Sequence, residues 1–188
     1  MSWGSIGRSM SSIPTFDGVP SEGGLNGPSL AFRRAGIDDY STIRHVQASA
    51  VRSLADKLLD LGDVANATRA IYTPGYIADL FRKTVYVAVL NGDIVGTCAW
   101  GPSDDRGSAA RISALYVGPL FQNNGIGSRL VDEVIRDATH NGFDRFMVTV
   151  PVSVIPLFSG LKFAIASYGT SREVIPDTLM QVAFLRKP

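Results

Sequence analysis

The residues best suited to chemistry lie in one stretch, Leu115-Tyr116-Val117-Gly118-Pro119-Leu120-Phe121-Gln122-Asn123-Asn124-Gly125-Ile126-Gly127-Ser128. An apolar strand pattern ends, glycines follow, and an amphipathic helical pattern begins. A helix start leaves free backbone N–H groups and the positive end of the helix dipole facing the loop before it. Gly125 and Gly127 carry no Cβ, so a phosphate or pyrophosphate could approach the backbone closely. The glycines alone would equally suit a plain strand-to-helix turn. Two phosphate motifs are excluded. An ATP-binding loop needs Gly-Lys-Ser/Thr, and Gly127-Ser128-Arg129 has no lysine. A dinucleotide fingerprint needs a third glycine, where Leu130 stands, and normally opens a domain.

The elements that must position this loop are regular from Leu30 onward. Leu30–Arg34 reads as a first strand. Asp38 or Asp39 is placed to cap a helix carrying Ile43, Val46, Ala50 and Leu54 at helical spacing. The stretch from about Asp60 to Tyr72 is ambiguous. Pro74 suits the first turn of a helix with Tyr76, Ile77, Leu80 and Phe81. Thr84–Leu90 and Ile94–Trp100 form an antiparallel pair around the hairpin signal Asn91-Gly92, and Ala109–Val117 is a third long strand. The helix after the loop buries Leu130, Val131, Val134, Ile135 and Ala138, and Asn141-Gly142 ends it as a left-handed cap. Arg145–Val150 is a strand, Val152–Ser159 a short helical segment, and Phe163–Thr170 and Leu179–Arg186 the last strands. This succession predicts a single α/β (α+β) domain.

The 188 residues fit one domain with an appendage. Residues 1–28 read as a flexible tail, since more than half of them are Gly, Ser or Pro; its scattered Trp3, Ile6, Ile13 and Phe16 could still dock onto the domain. Residues 29–188 form the domain. Lys plus Arg is 18 against 17 for Asp plus Glu, a net charge of +1, which argues against a nucleic-acid binder. Neither a transmembrane run nor a signal-peptide core is present in the sequence pattern. The single Cys98 forbids an intrachain disulfide and a cysteine zinc site, and His45 and His140 lack metal-ligand spacing, so no metal is expected. A cytoplasmic protein fits these features.

The spacing Gln122-x-x-Gly125-x-Gly127 after Leu115-Tyr116-Val117 resembles the acetyl-CoA loop of the GCN5-related N-acetyltransferases. The hairpin Val87-x-x-x-Asn91-Gly92-Asp93-Ile94-Val95-Gly96 is similar to that family's second and third strands. Val154-Ile155-Pro156-Leu157-Phe158-x-x-Leu161-x-Phe163 is similar to its fourth helix and following strand. The resemblance covers about residues 29–188. It implies the single-domain acyl-CoA N-acyltransferase fold, a mixed and mostly antiparallel sheet flanked by helices. It also implies acetyl-CoA as co-substrate and a primary amine, on a small molecule or peptide, as acceptor; a homodimer is compatible with it. By the same resemblance the backbone of Gln122, Asn123, Asn124, Gly125, Ile126, Gly127 and Ser128 holds the pyrophosphate. Leu115, Tyr116 and Val117 pair with the pantetheine arm, and an N–H near the end of that strand stabilises the oxyanion. The acceptor pocket is implied at about residues 50–75 and 165–178, with Arg52, Asp56, Lys57, Asp60, Asp63, Arg69, Arg172, Glu173 and Asp177.

The chain departs from the family pattern where a proton must move. Phe158 stands where many members carry a tyrosine that protonates the departing thiolate, and Arg111 where many carry a carboxylate base. Pro151 replaces an asparagine that often contacts the coenzyme, and Lys162 the usual glycine before Phe163. A general acid or base contributes about 10²–10⁴-fold, and a thiolate is a fair leaving group with a pKa of about 8.5. Catalysis is therefore expected to be slowed but retained, with water or Ser159 in the tyrosine's place. The alternative is an acetyl-CoA-binding module with little or no activity. Tyr116 reads mainly as a packing residue, Asp104 and Asp105 as solvated loop acids, His45 as a helix boundary residue, His140 as a dipole cap and Cys98 as an inert buried thiol. The general acid and base stay unassigned.

Overall fold

The computed structural model describes residues 29–54, 61–103, 107, 109–176 and 179–188. The tail with Trp3, Ile6, Ile13 and Phe16, the acceptor-side candidates Asp56, Lys57, Asp60 and Asp177, and the loop acids Asp104 and Asp105 lie outside the described residues.

Both residues of the Asn91-Gly92 turn adopt the left-handed region, with φ of 53° and 95°. That geometry matches the twist of the strands it joins. It connects β2 (Thr84–Leu90) to β3 (Asp93–Pro102). The Asn91 side chain accepts from the Ser29 N–H at 3.0 Å and so ties the start of β1 (Leu30–Arg34) to the same turn. With β4 (Ala109–Val117), β5 (Arg145–Pro151), β6 (Ala164–Ser171) and β7 (Met180–Lys187) these strands form one sheet. Its order is β1-β2-β3-β4-β5-β7-β6, and every pair is antiparallel except β4 with β5. The acyl-CoA N-acyltransferase class expected from the sequence is the one observed.

Helices cover both faces. α1 (Tyr40–Arg52), α2 (Leu61–Ile71) and α3 (Pro74–Phe81) lie on one side, and α4 (Ile126–His140) and α5 (Ile155–Gly160) on the other. α4 buries Leu130, Val131, Val134 and Ala138, while Ile135 is only partly covered. It can sit low because β3 has Gly96 beneath it: a Cβ there would come within 3.0 Å of Leu130 and 3.4 Å of Ile126. The helix ends at Asn141, with Gly142 at φ 88°. Two details differ from the sequence expectation. The ambiguous stretch before Tyr72 is helical as α2, an amphipathic segment burying Val64, Ala67 and Ile71. Asp39 does not cap the amides of α1. Its carboxylate turns back to the Gly36 N–H (2.7 Å) and to both terminal nitrogens of Arg33 (2.6 and 2.9 Å). The hydrogen-bonded Arg33 guanidinium, joined by the Gly36 amide, holds the carboxyl below its usual range.

Among the described residues no helix is long and apolar enough to cross a membrane. Cys98 is completely buried in the core beside α4. Burial pushes its thiol up from 9.0 to about 12. An acid whose folded pKa is raised binds its proton more tightly when folded. Its contribution to stability is therefore intact below pH 9 and is lost as pH rises toward 12. The native protein should resist thiol alkylation at pH 8 and react fully once unfolded. Cys98→Ala should flatten the loss of Tm measured between pH 9 and pH 12. Rapid alkylation of the native state would contradict this burial.

Candidate functional site

β4 and β5 are hydrogen-bonded only from the pair Ala109/Arg145 to the pair Ile112/Val148. Beyond that point β4 keeps β3 as its partner and β5 keeps β7, so the two strands part. A cavity of about 640 Å³ fills the resulting wedge. β4 forms one wall from Arg111 to Val117, and Val148–Pro151 of β5 forms the other. Leu157 and Phe158 of α5 close the side toward the core, and Ala50, Leu54 and Glu173–Ile175 close the far side.

The parting is built into β4 by a bulge. Ala114 has φ 50°, a conformation that L residues avoid, and the β3–β4 register slips between Thr97/Tyr116 and Ala99/Ser113. A buried polar chain holds it. Tyr76 of α3 donates its hydroxyl to Gln47 Oε1 (2.9 Å), Gln47 Nε2 donates to Thr97 Oγ1 (3.3 Å), and Thr97 donates to the Ala114 carbonyl (2.9 Å). Gln47 and Thr97 are the two fully buried polar residues among those described. Just beyond, the Tyr116 hydroxyl donates to the Val174 carbonyl at 3.3 Å and ties β4 to the loop between β6 and β7. Burial raises the Tyr116 phenol to about 12 and raises Tyr76 further, so both stay neutral across the working pH range.

The mouth of the wedge is the loop into α4. Pro119–Phe121 makes one 3-10 turn, Asn123 has φ 63°, and Gly125 at φ 73° is the N-cap. No side chain caps the first turn of α4, so its leading amides face the cavity without an internal acceptor. The loop's own side chains brace it instead: Gln122 Nε2 donates to the Val117 carbonyl (3.1 Å) and Asn124 Nδ2 to the Gln122 carbonyl (3.1 Å).

Of the residues singled out in the sequence, Leu115, Tyr116, Val117, Gln122, Asn123, Gly125, Gly127, Ser128 and Phe158 line this one cavity. Asn124 and Ile126 do not: Asn124 is turned into its loop, and Ile126 is buried against β3. Phe158 is fully buried, with its ring edge-on to Phe163 at 5.3 Å. Arg111 and Pro151 also reach the cavity, whereas Ser159 is exposed outside it. His45 is exposed, and His140 has its ring against the Arg136 carbonyl at the end of α4. Two lining residues lacked a sequence signal of their own. Glu173, one of nine acceptor-side charges in the sequence, is the only carboxylate on the cavity wall among the described residues, and Arg111 the only cation. Ser113 carries a buried hydroxyl without a hydrogen-bond partner among the described residues.

The model of the Acetyltransferase (GNAT) family matches residues 55–158, more than half of the chain. The chain belongs to that family. Comparison with curated proteins returns no match. Among solved structures, a GCN5-related N-acetyltransferase from Rhodopseudomonas palustris aligns with a TM-score of 0.70 at 18% identity, covering 88% of this chain and 99% of that one. The PaiA N-acetyltransferase from Thermoplasma acidophilum, solved in complex with coenzyme A, gives 0.68 at 15% identity, covering 85% and 98%. A phosphinothricin acetyltransferase from Sinorhizobium meliloti, solved with AcCoA, gives 0.65 at 20% identity, covering 85% and 88%. At these identities the likeness is one of fold. In this GNAT chain the fold places a strand bulge, a wedge and an uncapped helix start around one cavity.

The polar chain from Tyr76 to Ala114 is the part of this arrangement most open to test. Thr97→Val leaves a buried carbonyl and a buried amide without partners, at about 2–3 kcal/mol. For a chain of this length that lowers Tm by roughly 5–10 °C. Thr97→Ser, which keeps the hydroxyl, should retain most of the stability. Equal melting of Thr97→Val and wild type would show that the chain does not hold the bulge.

Proposed function

We propose that the protein transfers the acetyl group of acetyl-CoA to a primary amine on a small molecule or peptide. The observation that carries this is the wedge between β4 and β5 with the uncapped start of α4 at its mouth. When bound, acetyl-CoA would supply an activated acetyl thioester. Backbone amides from Gln122 to Ser128 would hold its pyrophosphate, aided by the α4 dipole. The free edge of β4 from Leu115 to Val117 would align the pantetheine arm as an added strand. The site fits such a ligand: the loop amides lack acceptors, the strand edge lacks a partner, and Gly125 leaves open space where a Cβ would stand. Glu173 would take the proton from the acceptor's ammonium group, directly or through one water. Phe158 offers no proton to the thiolate and would serve as an apolar wall. We take residues 29–188 as the domain that does this, with residues 1–28 outside it, and the lone buried thiol supports a cytoplasmic setting.

Acetyl-CoA should bind with a Kd in the micromolar range, about −7 to −8 kcal/mol. A Cβ at Gly127 would meet only ordinary contacts, the nearest being Leu157 at 3.4 Å. Gly127→Ala should therefore keep the fold, while the indole of Gly127→Trp should fill the pyrophosphate site and abolish binding. Calorimetry with unchanged binding by Gly127→Trp would overturn this assignment.

Turnover on a panel of amines and peptides, followed by free thiol release matched to acetylated product, tests the reaction itself. Glu173→Gln should lower kcat about 10²-fold at neutral pH, with the loss shrinking as pH rises and the amine deprotonates unaided. Tight acetyl-CoA binding without product anywhere on the panel would instead identify a coenzyme-binding module, the reading that Phe158 favours.

A further inference from the structure

Arg111 lines two cavities. One is the wedge, and the other is a cleft of about 230 Å³ on the same side of the sheet, bounded by Arg111, Met147, Thr149, Ser167, Phe184 and Arg186. The register places Arg111 opposite Met147 and Met147 opposite Arg186. The two arginines therefore flank one methionine on a single sheet face, their backbones about 10 Å apart at ordinary strand spacing.

Neither guanidinium makes an ion pair among the described residues. Among the described residues Arg111 donates one side-chain hydrogen bond, a long one to Thr149 Oγ1 at 3.5 Å. Most of its five donors are thus free, and the fork geometry of arginine matches a carboxylate. Ser113 lies two residues further along β4 on the same face, its buried hydroxyl lacking a partner among the described residues. Met147 and Phe184 give the cleft an apolar floor. Its volume lies below the roughly 300–1,000 Å³ of pockets for drug-sized ligands. It suits a small anionic group and is too small for a second nucleotide. Among the described residues Glu173, on the loop between β6 and β7, is the carboxylate that lines the wedge.

We infer that the acceptor is a small amine that also carries a carboxylate, an amino-acid-like zwitterion. Its amine end faces Glu173, and its carboxylate is held by Arg111 from the wedge side and Arg186 from the cleft side. This rests on the acetyltransferase reading above. It gives Arg111 a role suited to its position: a cation beside the reacting amine would be adverse unless an anion of the substrate neutralised it.

The test uses matched acceptors, each amino acid beside the amine left when its carboxylate is removed. Wild-type kcat/KM should favour the carboxylated member about 10- to 100-fold, the range expected of a charge-assisted pair. Arg111→Gln and Arg186→Gln should each cut that preference at least several-fold, through KM for the acid, and Arg111→Lys should restore part of it. A fold defect would lower both members of a pair alike and leave the ratio unchanged, so an unchanged ratio overturns the inference. Equal or better transfer to the decarboxylated amines overturns it too, while leaving the acetyltransferase reading intact. If no amine is acetylated, that reading fails by itself. Calorimetry of the same pairs then decides the anion site: preferential binding of the acid, lost in Arg111→Gln, supports it, and equal binding of both overturns it.

Discussion

Ala114 occupies a left-handed backbone conformation that costs an L residue about 1–2 kcal/mol. The remainder of the site depends on that cost being met. Without the bulge, β4 would continue in register beside β5, and the wedge would close into ordinary sheet. What offsets the strain is the Tyr76–Gln47–Thr97 chain, which delivers a buried hydroxyl to the Ala114 carbonyl. Each link lies on a different element, so α1 and α3 must both be docked before the bulge is secured. Leu80 and Ile43, packed against Val85, Val87 and Ala99, supply the apolar contact that docks them. Stability on the helical side and geometry on the strand side are thus coupled through three side chains.

The opposite face answers a different need. An uncapped helix start is a poor place to end a chain segment unless the helix is held elsewhere, because its free amides contribute nothing until an acceptor arrives. α4 is held by Gly96, which lets Ile126 and Leu130 drop onto β3, and by Trp100, whose indole N–H donates to Asp137 at 2.7 Å near the far end. The loop before it is braced from within by Gln122 and Asn124. The amides are therefore fixed in direction by contacts that leave their donors free, the condition under which a dipole can stabilise an anion without reorganising.

Sequence made the loop and the strands legible because their signals are local. A glycine at φ 73° and an Asn-Gly turn are demanded by backbone sterics within a few residues. Strand ends from the sequence fall within one or two residues of those observed. The bulge left no such trace, since alanine at φ 50° carries no turn signature and its support comes from residues 17 and 50 positions apart in the chain. Gln47 sits in the apolar stripe of α1, where a polar residue has no partner visible in sequence. Glu173 was one charge among several in a polar stretch, and only the packing of Val174 and Ile175 under α1 and α2 brings it to the wedge. Local spacing offers Asp38 or Asp39 as a helix cap, and it cannot show that Asp39 pairs with Arg33 instead.

Two of the departures from the family pattern, Phe158 and Arg111, are of different physical kinds. Phe158 is fully buried and edge-on to Phe163, so a hydroxyl there would need its own partner in an apolar layer. The missing hydroxyl removes an acid from a step whose thiolate, with a thiol pKa of about 8.5, is already a fair leaving group. Arg111 places a cation on the cavity wall where many family members carry a carboxylate. A cation there lowers the pKa of a neighbouring amine, which eases deprotonation but repels the charged form on arrival. Those effects oppose one another in a substrate with one charge. A substrate whose own anion binds the arginine cancels that field, so its ammonium enters without repulsion and its proton is left to a base. On the inference drawn above, the same departure that removes a base matches the site to a narrower class of acceptor, one that carries its own carboxylate.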